Sequence, residues 1–175
     1  MQNHFLTLSA LLALASCAAP PPPPAPTPIP APKPVVVPPV QPPRPAGDWT
    51  DWALTPGDWV YRRDERGSIG LFGASGADAL VTLRCDQARQ RIYLARAGSG
   101  SGSIVIRSSS SMKEFAGSPT GGTQPYVATE ILPSDPILDA MIYSRGRIAL
   151  EVSGQQPIAI PAWTEIARVV EDCRR

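Results

Sequence analysis

Three cysteines carry the most reactive side chains of the chain, and Cys17 stands in the most telling context. It follows Leu14-Ala15-Ser16 and the short apolar run from Phe5 to Ala15. A leucine, two small residues and a cysteine after such a run are typical of a site where a signal peptide is removed and the cysteine thiol is acylated. The alternative is an ordinary signal peptide cleaved after Ala13-Leu14-Ala15. We therefore expect Cys17 to be the lipidated first residue of the mature protein.

A second candidate for covalent chemistry is Ser110-Ser111-Met112-Lys113, which matches the Ser-x-x-Lys pattern of acyl-transferring serine enzymes. The Ser-Asp-Asn and Lys-Thr-Gly motifs that accompany that pattern are absent from the sequence, and Lys113 is the single lysine after Lys33. His4 is the single histidine and lies in the segment that we expect to be removed. The mature protein then has no imidazole for a nucleophile pair or a transition-metal site. We predict no catalytic residue, no metal and no cofactor.

Cys85 and Cys173 remain once Cys17 carries lipid. Both fall on the apolar side of their segments, and an exported protein folds in an oxidising compartment. We predict a disulfide between them, which closes a loop worth roughly 4 kcal/mol in the chain-entropy description. Two buried free thiols are the alternative.

Trp49, Trp52 and Trp59 cluster at the start of the domain. Exposed, they would be binding residues that stack on sugar rings of the cell wall; buried, they would seal one end of a sheet. The glycine-rich run from Gly98 to Gly102 lies between two strand-like segments and precedes no helix, so it is expected to be a flexible connection rather than a phosphate loop.

The elements that position these residues divide the chain into three parts. Residues 1–16 form the signal peptide, residues 17–46 the lipidated cysteine with a proline-rich tether, and residues 47–175 a single domain. Fifteen of the 22 prolines lie between Pro20 and Pro45, and they favour polyproline II with a reach of up to roughly 90 Å. A proline-rich ligand for another module is the alternative reading of this tract.

The domain carries 14 basic against 15 acidic side chains, so its net charge is close to −1. This balance gives no basic surface for nucleic acid. No apolar run approaches the roughly 18 residues that a spanning helix needs. The predicted membrane contact is therefore made through the lipid anchor.

Alternation of apolar and polar residues predicts a strand-rich domain. The clearest hairpin joins Ala79 to Cys85, with Val81, Leu83 and Cys85 on one face, to Arg91 to Arg96. Asp135 and Pro136 are typical of a helix start, and Ala162 to Cys173 is an amphipathic helix with a predicted buried stripe. That stripe contains Trp163, Ile166, Ala167, Val170 and Cys173. The remaining predicted strands are Trp59–Arg63, Ser68–Phe72, Ile104–Arg107, Tyr126–Leu132, Arg147–Val152 and Pro157–Ile160.

We therefore expect a mainly β (α+β) fold, either a small antiparallel β-sandwich or a partly open barrel, with a C-terminal helix. Three stretches of the domain resemble a group of proline-linked bacterial envelope lipoproteins of unknown function. They are Thr55-Pro-Gly-Asp-Trp-Val-Tyr-Arg, Leu83-Arg-Cys-Asp, and Pro161-Ala-Trp-Thr-Glu-Ile-Ala-Arg-Val-Val-Glu-Asp-Cys. More loosely, the cysteine-bearing hairpin and the final helix ending in cysteine are similar to periplasmic β domains of the invasion-associated locus B type.

These observations favour a lipid-anchored protein of the cell envelope whose domain binds an envelope protein or peptidoglycan without catalysis. Ala18 after the cysteine favours sorting to the outer membrane, with the domain facing the periplasm. The alternative is an inhibitor or a small hydrolase acting at the cell wall. For hydrolysis, the carboxylates of Asp135, Asp139 and Glu151 are the available acid–base groups.

Overall fold

The computed structural model describes residues 45–175, which form nine strands, two α-helices and one short 3-10 helix. The strands are β1 (Asp58–Asp64), β2 (Gly67–Gly73), β3 (Val81–Asp86), β4 (Arg91–Ala97), β5 (Gly102–Arg107), β6 (Met112–Pro119), β7 (Tyr126–Ile131), β8 (Arg147–Val152) and β9 (Ile158–Pro161). The helices are α1 (Pro136–Ile142) and α2 (Thr164–Cys173), and the 3-10 helix covers Trp49–Asp51. Cys17 and most of the proline-rich tether lie outside the described residues, so the predictions made for them stay predictions.

The nine strands form one sheet in the order β1-β2-β3-β4-β7-β6-β5-β8-β9, and each named pair is antiparallel. The sheet curls into a half-barrel. Its two ends approach each other, because Leu54 forms a bridge with Ala159 of β9 and the Trp59 indole donates a 2.9 Å hydrogen bond to the Pro161 carbonyl. The predicted mainly β fold with a C-terminal helix is confirmed, and of its two forms the sheet takes that of the partly open barrel.

The sequence prediction lacks one strand, β6. Its side chains alternate in the structure, but six of its eight residues are exposed. Both faces of β6 therefore carry polar or charged residues, and a search for alternating apolar positions passes over it.

The core lies on the inner face of the half-barrel. The predicted inward residues Val81, Leu83 and Cys85 are fully buried there. Helix α2 packs against β1, β2, β3 and β4 through Ile166, Val169 and other apolar residues of one face. The predicted stripe of α2 is corrected at its start, because Trp163 is the N-cap residue and 44% exposed.

Neither α1 nor α2 is long and apolar enough to cross a membrane.

The predicted disulfide joins Cys85 of β3 to Cys173 at the end of α2, with 5.3 Å between their Cα atoms. The two cysteines are 88 residues apart, so the bond closes most of the domain into one loop and contributes about 4 kcal/mol in the chain-entropy description. It holds the last turn of α2 against the central hairpin of β3 and β4.

The start of α1 is also as predicted. The Asp135 side chain accepts a hydrogen bond from the Ile137 amide, and Pro136 occupies the first helical turn, where its missing N–H costs nothing. The helix ends at Ile142, and Gly146 follows with a φ of 81°, which a glycine adopts without strain.

Candidate functional site

The Ser-x-x-Lys pattern does not form a nucleophile–base pair in the structure. Ser110 lies in the exposed turn between β5 and β6, where its amide bonds to the Ser108 hydroxyl. The Lys113 ammonium is instead held by Asp135, with 2.5 Å between Nζ and Oδ2, and it lies over the Phe115 ring. The geometry therefore gives Lys113 a structural partner rather than a catalytic one.

The three carboxylates considered for glycan hydrolysis are each held by a different basic residue. These pairs are Asp135 with Lys113, Asp139 with Arg174, and Glu151 with Arg107. Among residues 45–175, no group of three His, Cys, Asp or Glu side chains is arranged to hold a metal ion.

The tryptophans at the domain entrance do not form an exposed stacking surface. Trp59 is 6% exposed and belongs to the main core, and Trp52 is 5% exposed and packs on Ala149 and Ala159. Trp49 is half-buried against this second cluster. Since Ile148 and Ile160 point to the core, Trp52 covers the outer face of β8 and β9. The three residues are therefore packing residues of the entrance rather than a sugar-binding platform.

A recess of the sheet lies between β6 and β7, where the pairing of the two strands is short. Their ladder contains only the pairs Ser118–Ala128 and Pro119–Val127, continued at its closed end by a hydrogen bond from the Thr120 amide to the Tyr126 carbonyl. By contrast, β4 and β7 are paired over six residues, as are β5 and β6. Beyond the pair of Ser118 and Ala128, in the direction of Ala116 and Glu130, the two strands therefore separate.

The separation produces a groove of about 850 Å³, which we call the β6–β7 groove. Its walls are Phe115, Ala116 and Ser118 of β6 and Ala128, Thr129 and Glu130 of β7. Phe115 pairs with Ile104, and Thr129 with Leu94, so both side chains belong to the inner face of the sheet. Their presence in a groove that is otherwise lined from the outer face shows that the sheet is open at this point.

Two cross-strand rows make the floor of the groove. The first contains only small side chains, because the register places Thr82, Ala95, Ala128 and Ser118 side by side across β3, β4, β7 and β6. The second places Arg84, Tyr93 and Glu130 side by side across β3, β4 and β7. The floor is therefore shallow in its first row and offers an aromatic ring and charges in its second.

Ion pairs fix the arginines at the charged end of the groove. Arg84 bonds to Asp64, 2.7 Å from its Oδ2 atom, and Arg66 bonds to Asp86 at 2.8 Å. The hydrogen bond from Arg84 lowers the pKa of Asp64, and the one from Arg66 lowers the pKa of Asp86. Both acids therefore stay ionised well into the acidic range.

Arg89 differs from these arginines. The hydrogen bond to Tyr93 and the charge of Tyr93, and after them the nearby charge of Asp86, raise the pKa of Arg89. Among the described residues, no carboxylate lies within ion-pair distance of its guanidinium, whereas Glu130 is taken by Arg91 at 2.7 Å. Arg89 is the cation that the groove leaves available for a ligand.

Sequence reasoning does not find this groove. Tyr93, Arg84 and Glu130 are ordinary outward positions of strands, and β6 is missing from the prediction. The sequence feature that could have indicated the groove is the run from Met112 to Gly117. Its odd-numbered side chains point to the inner face of the sheet and its even-numbered side chains point to the outer face.

Two other recesses are lined in part by loops, and strands β1 and β2 also line the smaller one. One of about 690 Å³ lies beside the entrance segment at Asp48, Ser109 and Arg145, and one of about 540 Å³ lies against the loop from Gly73 to Ala79. The β6–β7 groove is bordered by strands, and strands hold a binding surface more rigidly than loops.

Comparison with known proteins adds no assignment to this geometry. The chain matches no protein-family model, no curated protein and no solved structure.

Proposed function

We propose that the chain is an envelope lipoprotein, anchored through Cys17, whose domain binds a partner at the β6–β7 groove and does not catalyse a reaction. The observation that carries this proposal is the groove itself, a recess of about 850 Å³ built on strands and bordered by Arg89, for which residues 45–175 provide no ion-pair partner. Such a size is within the range of roughly 300–1,000 Å³ that ligand sites occupy.

The chemistry of the groove favours binding over turnover. Tyr93, the threonines and the serine offer hydrogen bonds, and Arg89 offers a fixed charge. General acid–base catalysis needs a proton-transferring pair near the reacting atoms, whereas Arg66, Arg84 and Glu130 of this groove are engaged in ion pairs that hold the surface in shape. The second candidate, an inhibitor or small hydrolase, has no such supporting geometry in the described residues.

The anchor and the tether explain why a domain of this kind would be exported. A lipid on Cys17 would keep the protein at the membrane, and a proline-rich tether with a reach of up to roughly 90 Å would let the domain meet a partner away from it. We propose the outer membrane, with the domain in the periplasm, as the location.

Photo-crosslinking in intact cells tests this proposal. A photoreactive amino acid replaces Ala116 in the groove or, as a matched control, Ala77 in an exposed loop, each in the full-length protein. We expect a discrete adduct of higher mass from position 116 and none from position 77. In a Cys17→Ala background the protein should leave the membrane fraction and the adduct should be lost.

The outcomes separate the two parts of the proposal. Equal adducts from both positions, or none from either, would contradict binding at the groove. An adduct from position 116 together with unchanged membrane fractionation of Cys17→Ala would support binding at the groove and contradict the lipid anchor on Cys17.

A further inference from the structure

The open end of the β6–β7 ladder leaves backbone hydrogen-bonding groups without a strand partner. The direction of each residue follows from alternation. The Ser108 amide bonds to the Ser111 carbonyl, so the odd residues of β6 face β5 and the even residues, among them Ala116 and Glu114, face β7. On the side that faces β7, no strand of the described residues pairs with β6 at these two positions, whereas β5 pairs with both on the other side.

The same argument applies to the opposite wall. The Tyr126 carbonyl accepts from Thr120, so Tyr126, Ala128 and Glu130 direct their backbone groups toward β6. If the ladder continued, Glu130 would be opposite Ala116, but the pairing stops at Ala128. Both walls of the groove therefore present strand edges, and unpaired edges are templates for another strand.

Side chains at the wide end also suit an added strand. Met112 of β6 and Leu132, which follows β7, are 56% and 52% exposed and are among the most exposed large apolar residues of residues 45–175. An extended segment directs alternate side chains to the two faces of a sheet. In the groove, one set would meet Phe115 and Thr129 on the inner side, and the other set would meet the outer floor.

The charges of the groove indicate which kind of extended segment would bind there. The groove is lined by three arginines and one glutamate, and Arg89 is the arginine for which the described residues provide no carboxylate. It lies on the turn between β3 and β4. Because Glu130 pairs with Tyr93 near that turn, Arg89 is at the end of the groove where the walls are farthest apart. A ligand carboxylate there would gain a charge-assisted hydrogen bond.

We infer that the β6–β7 groove takes an extended segment of a partner protein, which pairs by its backbone with the free edges of β6 and β7 and places an acidic side chain on Arg89. This inference rests on the proposed function and names the chemistry of the partner. Backbone pairing would supply much of the affinity, and the carboxylate would supply orientation, as in other strand-addition complexes.

Calorimetry with designed peptides tests the inference on the full-length protein in detergent. The probe is the acetylated, amidated pentapeptide Thr-Val-Glu-Val-Thr. Its controls are the same peptide with lysine in place of glutamate, and one with an N-methyl group on every residue, which cannot donate a backbone hydrogen bond from either edge. We expect the acidic peptide to bind and the N-methylated peptide to show no heat of binding.

Two protein variants test the same contacts from the other side. Arg89→Gln should weaken binding of the acidic peptide about fivefold, the effect of losing an exposed charge pair worth roughly 1 kcal/mol. The matched control Arg62→Gln removes an exposed arginine of β1 and should change nothing. Ala116→Pro removes an amide donor that faces the groove and not β5, so it should weaken binding without lowering the unfolding temperature.

Equal binding of the acidic and lysine peptides, or binding of the N-methylated peptide, would overturn the inference. A further titration with soluble peptidoglycan fragments separates it from the proposed function. If the fragments bind and their binding is lost in Ala116→Pro while no peptide binds, the groove is a binding site for glycan and the strand-addition inference is wrong. If neither peptides nor fragments bind and position 116 gives no adduct in cells, both proposals fail.

Discussion

At the scale of single residues, Asp172 shows how buried polar groups fix α2 on the sheet. Its side chain is 7% exposed, and it accepts hydrogen bonds from the Tyr61 hydroxyl at 2.5 Å and the Arg63 guanidinium at 2.7 Å. Burial opposes ionisation of this carboxyl, but the hydrogen bonds from Tyr61 and Arg63 outweigh it, so the pKa of Asp172 lies below its ordinary range. The Arg168 guanidinium covers the Tyr61 ring, 3.8 Å from its centre, and completes the contact between α2 and β1.

This arrangement predicts a pH-dependent loss of stability in the variant Asp172→Asn. A carboxyl with a lowered pKa in the folded state stabilises that state above the pKa of the unfolded chain, roughly 4, and the contribution disappears as the pH falls. At pH 7 the variant should lose about 2 kcal/mol of unfolding free energy, because a buried charged hydrogen-bond partner is removed. Urea titrations from pH 7 to pH 3 should show the gap between the two proteins closing with acid.

The matched control is Asp51→Asn, which alters an exposed carboxylate outside any ion pair of the described residues. It should leave the urea midpoint unchanged at every pH. A gap for Asp172→Asn that stays constant from pH 7 to pH 3 would contradict the role given to its charge.

At the scale of secondary-structure elements, the disulfide decides how firmly α2 is held. Cys85 and Cys173 are both fully buried, and the bond fixes the last residue of α2 to the central strand β3. Replacing both cysteines with alanine should lower the unfolding free energy by about 3–4 kcal/mol, since the unfolded chain regains the entropy of an open loop. Urea unfolding of the full-length variant measures this loss.

Hydrogen exchange on the same double variant locates the effect. The amides of residues 164–173 should exchange faster, whereas those of the β8–β9 hairpin, whose strands do not bear the disulfide, should change little. A loss below about 1 kcal/mol, or a uniform increase in exchange over the whole domain, would show that the disulfide does not act through α2.

The sequence predicts those elements whose signals are local. The hairpin of β3 and β4 alternates cleanly, α1 has its capping aspartate and proline, and the two cysteines on core-facing positions indicate their bond. These predictions are confirmed. Trp163 is predicted on the buried stripe of α2 and lies at its exposed start, because a position just before a helix need not follow the helical periodicity.

The groove cannot be predicted in this way because it depends on where a ladder ends. Gly117 of β6 contributes to where the β6–β7 ladder ends. A Cβ atom there would come within 2.8 Å of a Val127 methyl group and 3.0 Å of Ile104, so the glycine allows β6 to pass close to β7. The point at which β6 then leaves β7 follows from the curl of the whole sheet, and no run of residues in the sequence encodes it by itself.

At the scale of the whole molecule, the entrance of the chain and the groove lie on the same face of the sheet. The segment with Trp52 covers the outer face of β8 and β9, and the groove opens on the outer face from β3 to β6, with β5 between them. The tether and its lipid are predictions from the sequence. In the proposed function, they anchor the domain that binds its partner at the β6–β7 groove.

We propose that the open end of the β6–β7 ladder is where the domain meets its partner. Hydrogen–deuterium exchange at the amides of Glu114, Ala116 and Glu130 tests it most directly, comparing the purified full-length protein with the same protein in isolated envelopes. We expect fast exchange at these three amides in the purified protein and clear protection in the envelope, with unchanged protection in β3 and β4. Equal exchange at the three amides in both samples would contradict it.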